Sequence, residues 1–284
     1  MPFSQKSLDF LFENRLHDSK EWFLEHKNEY ETLVKAPLVE LSAALGPVML
    51  ELDPQLTTDP AVGKTISRIR RDTRFTHDKS LYRDNMWIVY KRGKMYGREV
   101  PGLYFEVFSD GHFGYGCGFY DASTAYMETL RAQVRGQTPA WKKADKALRA
   151  QQVFALEGER YKRPRFPDAP AAQRDWLELR GISFNAQRHD PGLLFSDRLA
   201  AELAEDFRLL APLYGFLLEV AGQQRAEALQ RPWELAQKKA RGGDLQKSPP
   251  LAFSVFICPE SPSRLKSRRS VAPSAPRCPR RTPP

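Results

Sequence analysis

The chain has 284 residues, 41% hydrophobic and 11% aromatic, enough for one large core or two smaller ones, which excludes a fibrous or wholly disordered polymer. A net charge of +9 ordinarily points to nucleic acid or an anionic membrane, but the charge is unevenly placed. Of the 44 Lys and Arg, 13 lie in Gln223–Pro284, with 4 of the 35 Asp and Glu, so residues 1–222 keep 31 of each sign and are neutral.

The opening segment reads as helices. Phe10, Leu11, Trp22, Phe23, Tyr30, Leu33, Val34, Leu38 and Leu41 recur at steps of three, four and seven, with Glu21, Glu25, Lys27 and Glu31 on the other faces. Ser19 is a fitting N-cap, and Pro37 is expected to end or kink the second helix. A loop rich in Pro and Asp over 53–60 separates these helices from strands.

Met86–Tyr90 is a short run of strand formers closed by a turn at Lys91-Arg92-Gly93-Lys94. Leu103–Phe108 and Phe113–Tyr120 flank Ser109-Asp110-Gly111-His112, whose Asp-Gly pair signals a hairpin, so the three strands predict an antiparallel meander. On the last strand Gly114, Gly116 and Gly118 share one face and leave it bare. A helix, an aromatic ring or a ligand can approach such a stripe, and a packed helix is the expectation.

Helices are expected over Ser123–Arg135, ended by Gly136, and over Ala140–Ala150. A short strand at Val153–Leu156 precedes a basic loop, Tyr161-Lys162-Arg163-Pro164-Arg165. Ser196–Val220 reads as a long amphipathic helix kinked at Pro212. The predicted class is therefore α+β: an antiparallel meander packed with N-terminal helices and a long C-terminal helix, forming one globular domain over residues 1–222. Residues 223–284 hold 10 of the 22 prolines and show no period, which predicts a disordered basic tail. That tail is either a dispensable extension or an arm making non-specific contacts with polyanions, and nucleic acid is not an expected partner of the neutral domain.

Cys117, Cys258 and Cys278 form no CxxC pair, and the histidines at 17, 26, 77, 112 and 189 never fall at HxH or HxxxH spacing, so neither a disulfide framework nor a metal site is expected. The N-terminus lacks a basic stretch followed by an apolar run, and Leu251–Cys258 is too short to span a bilayer, so no membrane partner is expected and the cytoplasm is the expected compartment. Neither GxSxG nor a Cys/His/Asp constellation is present, and the sequence leaves open whether a cofactor is bound.

The densest polar stretch is Lys64–Arg83, with seven cationic side chains and two carboxylates. Ile66, Ile69, Phe75 and Tyr82 interrupt it and predict anchorage to the core. In an extended segment Arg68, Arg70, Asp72 and Arg74 project to one side, with Asp72 gripped between guanidinium groups and Asp78 and Lys79 at a turn. The excess of cations suits a phosphate- or carboxylate-bearing ligand, held by Arg68, Arg71, Asp72, Arg74, Asp78, Lys79 and Tyr82, with Trp22 and His26 completing the wall. The alternative is a non-catalytic interaction or structural protein in which these residues form a buried ion-pair network. His26, between Trp22 and Tyr30 at i±4, belongs to an aromatic cluster in the ordinary reading and is a general base in the other.

Two blocks of this chain resemble a known family. Arg68-Ile69-x-Arg71-Asp72-x-Arg74-Phe75-x-x-Asp78-Lys79-x-x-Tyr82-Arg83 is similar to the signature of the conserved hypothetical family called domain of unknown function 2461, and Glu21-Trp22-Phe23-x-x-His26-Lys27-x-x-Tyr30 is similar to its other block. The resemblance covers residues 3–221 and stops where the basic tail begins. Leu81 stands where the family pattern usually has proline, and His17-Asp18 where it often has an asparagine pair. The resemblance implies domain limits but no activity.

Overall fold

The computed structural model describes residues 3–74, 77–93 and 100–242, so Phe75, Lys94 with the rest of the stretch to Tyr96, and the tail beyond Gly242 lie outside the described residues. The described residues up to Lys238 form one compact unit.

The chain opens with α1 (Gln5–His17), α2 (Lys20–Glu25) and α3 (Lys27–Glu29), followed by a π-helical stretch over Tyr30–Lys35 and α4 (Ala36–Leu52). Six strands follow, β1 (Leu56–Thr57), β2 (Asn85–Arg92), β3 (Gly102–Phe108), β4 (Phe113–Gly118), β5 (Ala155–Glu157) and β6 (Ser183–Arg188). Between and after the later strands lie α5 (Thr124–Arg135), α6 (Pro139–Arg149), α7 (Ala171–Leu177), α8 (Pro191–Leu194), α9 (Leu199–Leu209) and α10 (Ala211–Gly242). The strands form one antiparallel sheet in the order β1-β2-β3-β4-β6-β5, so the fold is α+β with the predicted β2-β3-β4 meander at its centre.

One face of the sheet carries the core. Met86, Ile88 and Tyr90 on β2, Leu103, Phe105 and Val107 on β3, Phe113, Tyr115 and Cys117 on β4, and Phe184 and Ala186 on β6 are all buried. Removing each large apolar side chain from water contributes about 1.5–3 kcal/mol, so this face and its helices hold most of the hydrophobic stabilisation. Polar tips on the same face reach the helices: the Tyr90 hydroxyl donates to the Ser42 carbonyl at 3.1 Å, and the Tyr115 hydroxyl to Asp206 at 2.6 Å.

Four readings of the sequence are corrected. Pro37 does not end the helix: the preceding stretch is widened to π geometry, with the Ala36 N–H on the Glu31 carbonyl, and Pro37 enters the first turn of α4. Proline has no N–H to lose there, so the helical path continues. Residues 27–52 are consequently one helical run, long and apolar enough by composition to cross a bilayer, yet its Val34, Leu38, Leu41, Leu45, Val48 and Met49 are buried in the fold.

The helix expected over Ser196–Val220 is two helices, broken at Leu210, with Pro212 in the first turn of α10 rather than inside a kinked helix, and α10 runs on to Gly242. The short strand lies at Ala155–Glu157, displaced from Val153–Leu156. Among the described residues, the atoms nearest the glycine stripe belong to residues 182–187 rather than to a helix. A Cβ on Gly116 would lie 2.0 Å from the Phe184 carbonyl oxygen, and one on Gly118 would lie 2.5 Å from the Ser183 Cα, so the element approaching it is the neighbouring strand β6. Glycine is required because the two backbones meet there.

Candidate functional site

Lys64–Arg83 is tied to the edge of β2. The Ser67 N–H donates to the Trp87 carbonyl at 2.9 Å, the Val89 N–H to Thr65 at 2.8 Å, and the Arg71 N–H to Leu81 at 2.8 Å. Thr65, Ile66, Ser67, Ile69 and Tyr82 are buried and anchor both ends of the segment.

The charged groups then divide. Arg71 forms an ion pair with Asp78 and donates to the Ser80 hydroxyl at 2.8 Å. Arg15 of α1 reaches the same Asp78 carboxylate at 3.2 Å. The Ser80 hydroxyl and N–H, and then Arg71, hold the Asp78 carboxyl well below the usual range. Arg74 grips Asp72 with two bonds of 2.9 and 2.7 Å, a fork that with the Arg74 N–H lowers the Asp72 pKa to about 2. Asp72 therefore sits on one guanidinium group rather than between two. Lys79 donates to the Thr73 carbonyl at 2.8 Å.

Arg68 and Arg70 are different. Both are exposed, and among the described residues neither side chain makes a hydrogen bond or ion pair. Arg68, Arg71 and Arg74 thus end on three different surroundings: no protein partner, Asp78 with Ser80, and Asp72. The Arg74–Asp72 pair is largely exposed, with side chains 74% and 57% accessible, whereas Arg71 beside Asp78 is 20% accessible, so the two pairs differ in burial.

The aromatic wall is a separate cluster joined to this loop by one ring. Trp22 is sandwiched between His17 and His26, with ring centroids 4.9 and 4.1 Å apart, and His26 Nδ1 lies 2.8 Å from the Trp22 carbonyl oxygen. Tyr82 stacks on Phe23 at 5.0 Å, and burial raises its phenol pKa. Phe23 in turn packs on Tyr30 and connects Tyr82 to the cluster.

Sequence reasoning missed the residue that joins loop and helix. Asp18, in the left-handed conformation at the C-cap of α1 (φ 47°), accepts the N–H groups of Leu81 and Tyr82 at 2.7 and 3.0 Å. Aspartate tolerates that conformation, and its position after His17 at a helix end is the only local signal.

The sheet face opposite the core was also missed. Glu106 is half-buried beside Asn85, its amide partner, and burial raises its carboxyl pKa; the Tyr104 hydroxyl donates to Asn185 at 3.0 Å. Alternation along β3 would have put Tyr104 and Glu106 on the face of the bare glycines.

Among the described residues no group of three or more His, Cys, Asp or Glu side chains could hold a metal ion. No curated protein matches the chain. The family described as conserved hypothetical protein DUF2461 matches residues 6–216, close to three-quarters of the sequence and including both aromatic and Arg/Asp blocks. The chain belongs to that family of conserved hypothetical proteins.

Proposed function

We propose that the protein binds a small anionic ligand bearing a phosphate or carboxylate at the Arg68–Tyr82 loop. The observation that carries this reading is the uneven pairing of the loop's arginines. Asp78 and Asp72 pair with Arg71 and Arg74, while among the described residues Arg68 and Arg70 are exposed and make no hydrogen bond or ion pair. A guanidinium fork matches the oxygens of a phosphate or carboxylate, and the paired Arg71 and Arg74 fix the loop that presents the other two. Tyr82 joins this loop to Phe23 and Tyr30, which connect through Phe10 to Trp22 and His26.

Thermal unfolding of the full chain with inorganic phosphate and pyrophosphate tests this reading. A rise in midpoint that is smaller in Arg68→Ala/Arg70→Ala, with the ligand-free midpoint unchanged, is the expected result. An equal rise in that variant refutes it.

A second reading has its own support. Arg15 and Asp18 of the α1 end reach Asp78, Leu81 and Tyr82, so the loop also clamps the helical layer to the sheet edge. In that reading the protein is a non-catalytic interaction or structural protein. It predicts that Arg15→Ala lowers stability and that no small anion stabilises the chain.

A further inference from the structure

A second region holds hydrogen-bond donors that the fold does not saturate. A cleft of about 420 Å3 opens between the β4–α5 connection, the start of α5 and the segments 158–161 and 180–183. The volume is within the range of small-molecule sites, roughly 300–1,000 Å3. Gly158 lets its two flanking segments touch, since a Cβ there would lie 2.1 Å from the Gly181 carbonyl oxygen.

Arg131 lines the cleft, with its side chain only 1% accessible. Its Nε–H donates to the Leu177 carbonyl at 3.1 Å, one terminal nitrogen to the Leu179 carbonyl and to the Tyr161 hydroxyl, and the other to Glu128 at 2.9 Å. A guanidinium has five N–H groups, so these four bonds leave one unused. Glu128, its carboxylate partner, is 56% accessible, so solvent weakens the neutralisation of a buried charge.

Tyr161 adds a second donor. Its phenol oxygen accepts from Arg131 at 3.0 Å and from Arg165 at 3.3 Å, and the Arg165 guanidinium lies 4.1 Å from the ring centroid. A hydroxyl that accepts twice still has its own proton to donate. Arg180, also lining the cleft, forms an ion pair with Glu159, and both side chains are more than half accessible.

We propose that this cleft is a second ligand site, distinct from the Arg68–Tyr82 loop, which takes the phosphate or carboxylate of a small molecule. The anion accepts the Tyr161 O–H and the unused Arg131 N–H and draws Arg180 from Glu159. Charge-assisted bonds of this kind are about twice as strong as neutral ones.

Inorganic phosphate and acetate serve as separate probes in 1H–15N spectra of the full chain. The expected result is a saturable shift of the Gly158 and Gly181 amides and of Arg131 Nε–H with at least one probe; phosphate alone, or acetate, identifies the preferred group. Tyr161→Phe and Arg180→Gln each weaken that binding about tenfold, whereas Arg68→Ala/Arg70→Ala leaves it unchanged. Should Tyr161→Phe prove unstable, Arg180→Gln alone decides. Resonances that stay still with both probes, or undiminished binding in a folded Arg180→Gln, overturn the proposal. Shifts confined to residues 68–70 overturn it while leaving the first site intact.

Discussion

Arg92→Met tests how the fold holds its two ends together. Asp53, at the C-cap of α4, has a side chain 2% accessible, and it accepts from Arg92 of β2 at 2.6 and 3.0 Å and from the Tyr214 hydroxyl of α10 at 3.0 Å. Burial pushes the Asp53 carboxyl up, but Arg92, the Gln55 N–H and Tyr214 together outweigh it, and the net pKa is lowered. Removing one partner of a buried pair costs about 3–5 kcal/mol. Arg92 is 34% accessible, and the Tyr214 and Gln55 bonds survive, so about 2–3 kcal/mol is the expected loss at pH 7. Methionine keeps much of the aliphatic stem, so this loss reports charge rather than packing.

The pH dependence follows from the sign of the shift. A carboxyl whose folded pKa lies below its unfolded value, about 3.9, contributes stability that is fully present above that value and lost as pH falls through the folded pKa. The penalty of Arg92→Met therefore shrinks from pH 7 to pH 3. Urea unfolding of both proteins at the two pH values measures it. A penalty under about 0.5 kcal/mol at pH 7, or one that grows on acidification, refutes the reasoning.

Asp18→Ala removes the acceptor of two backbone N–H groups and places a Cβ-branchless but non-glycine residue in the left-handed region, so a loss of about 1–3 kcal/mol is expected by chemical denaturation. Gly116→Ala drives a methyl group into the Phe184 carbonyl, and circular dichroism should record loss of the β4–β6 pairing or of the fold itself; a native spectrum and melting curve would show that the strands can separate without cost. Arg71→Ala cuts the ties to Asp78 and Ser80, and its effect on the thermal midpoint should fall with added salt because the pair is partly exposed.

The central meander was legible because β2 and β3 are short runs of strand formers and the Asp-Gly turn carries turn chemistry that works within a few positions. β6 was not. In Ser183-Phe-Asn-Ala-Gln-Arg188 only Phe184 and Ala186 face the core, a signal too weak to mark a strand before its partner is known. The glycine stripe was read correctly as a place of close approach, but which element approaches depends on strand order, a long-range property. For the candidate site, the sequence located the loop and the pairing of Asp72 with Arg74, two residues apart. It could not assign Asp78 to both Arg71 and Arg15, because the second contact spans 63 residues. The cleft around Arg131 was equally hidden, since Arg131, Tyr161 and Arg180 come from three separate segments.

The proposed ligand site is tested most directly by titrating the full chain with pyrophosphate while observing the arginine Nε–H resonances. Saturable shifts of the Arg68 and Arg70 Nε–H groups, with the accompanying shifts of the loop's backbone N–H groups lost in an Arg68→Ala/Arg70→Ala control, are the predicted result. Shifts that spare both side chains, or no saturable change anywhere in the loop, contradict it.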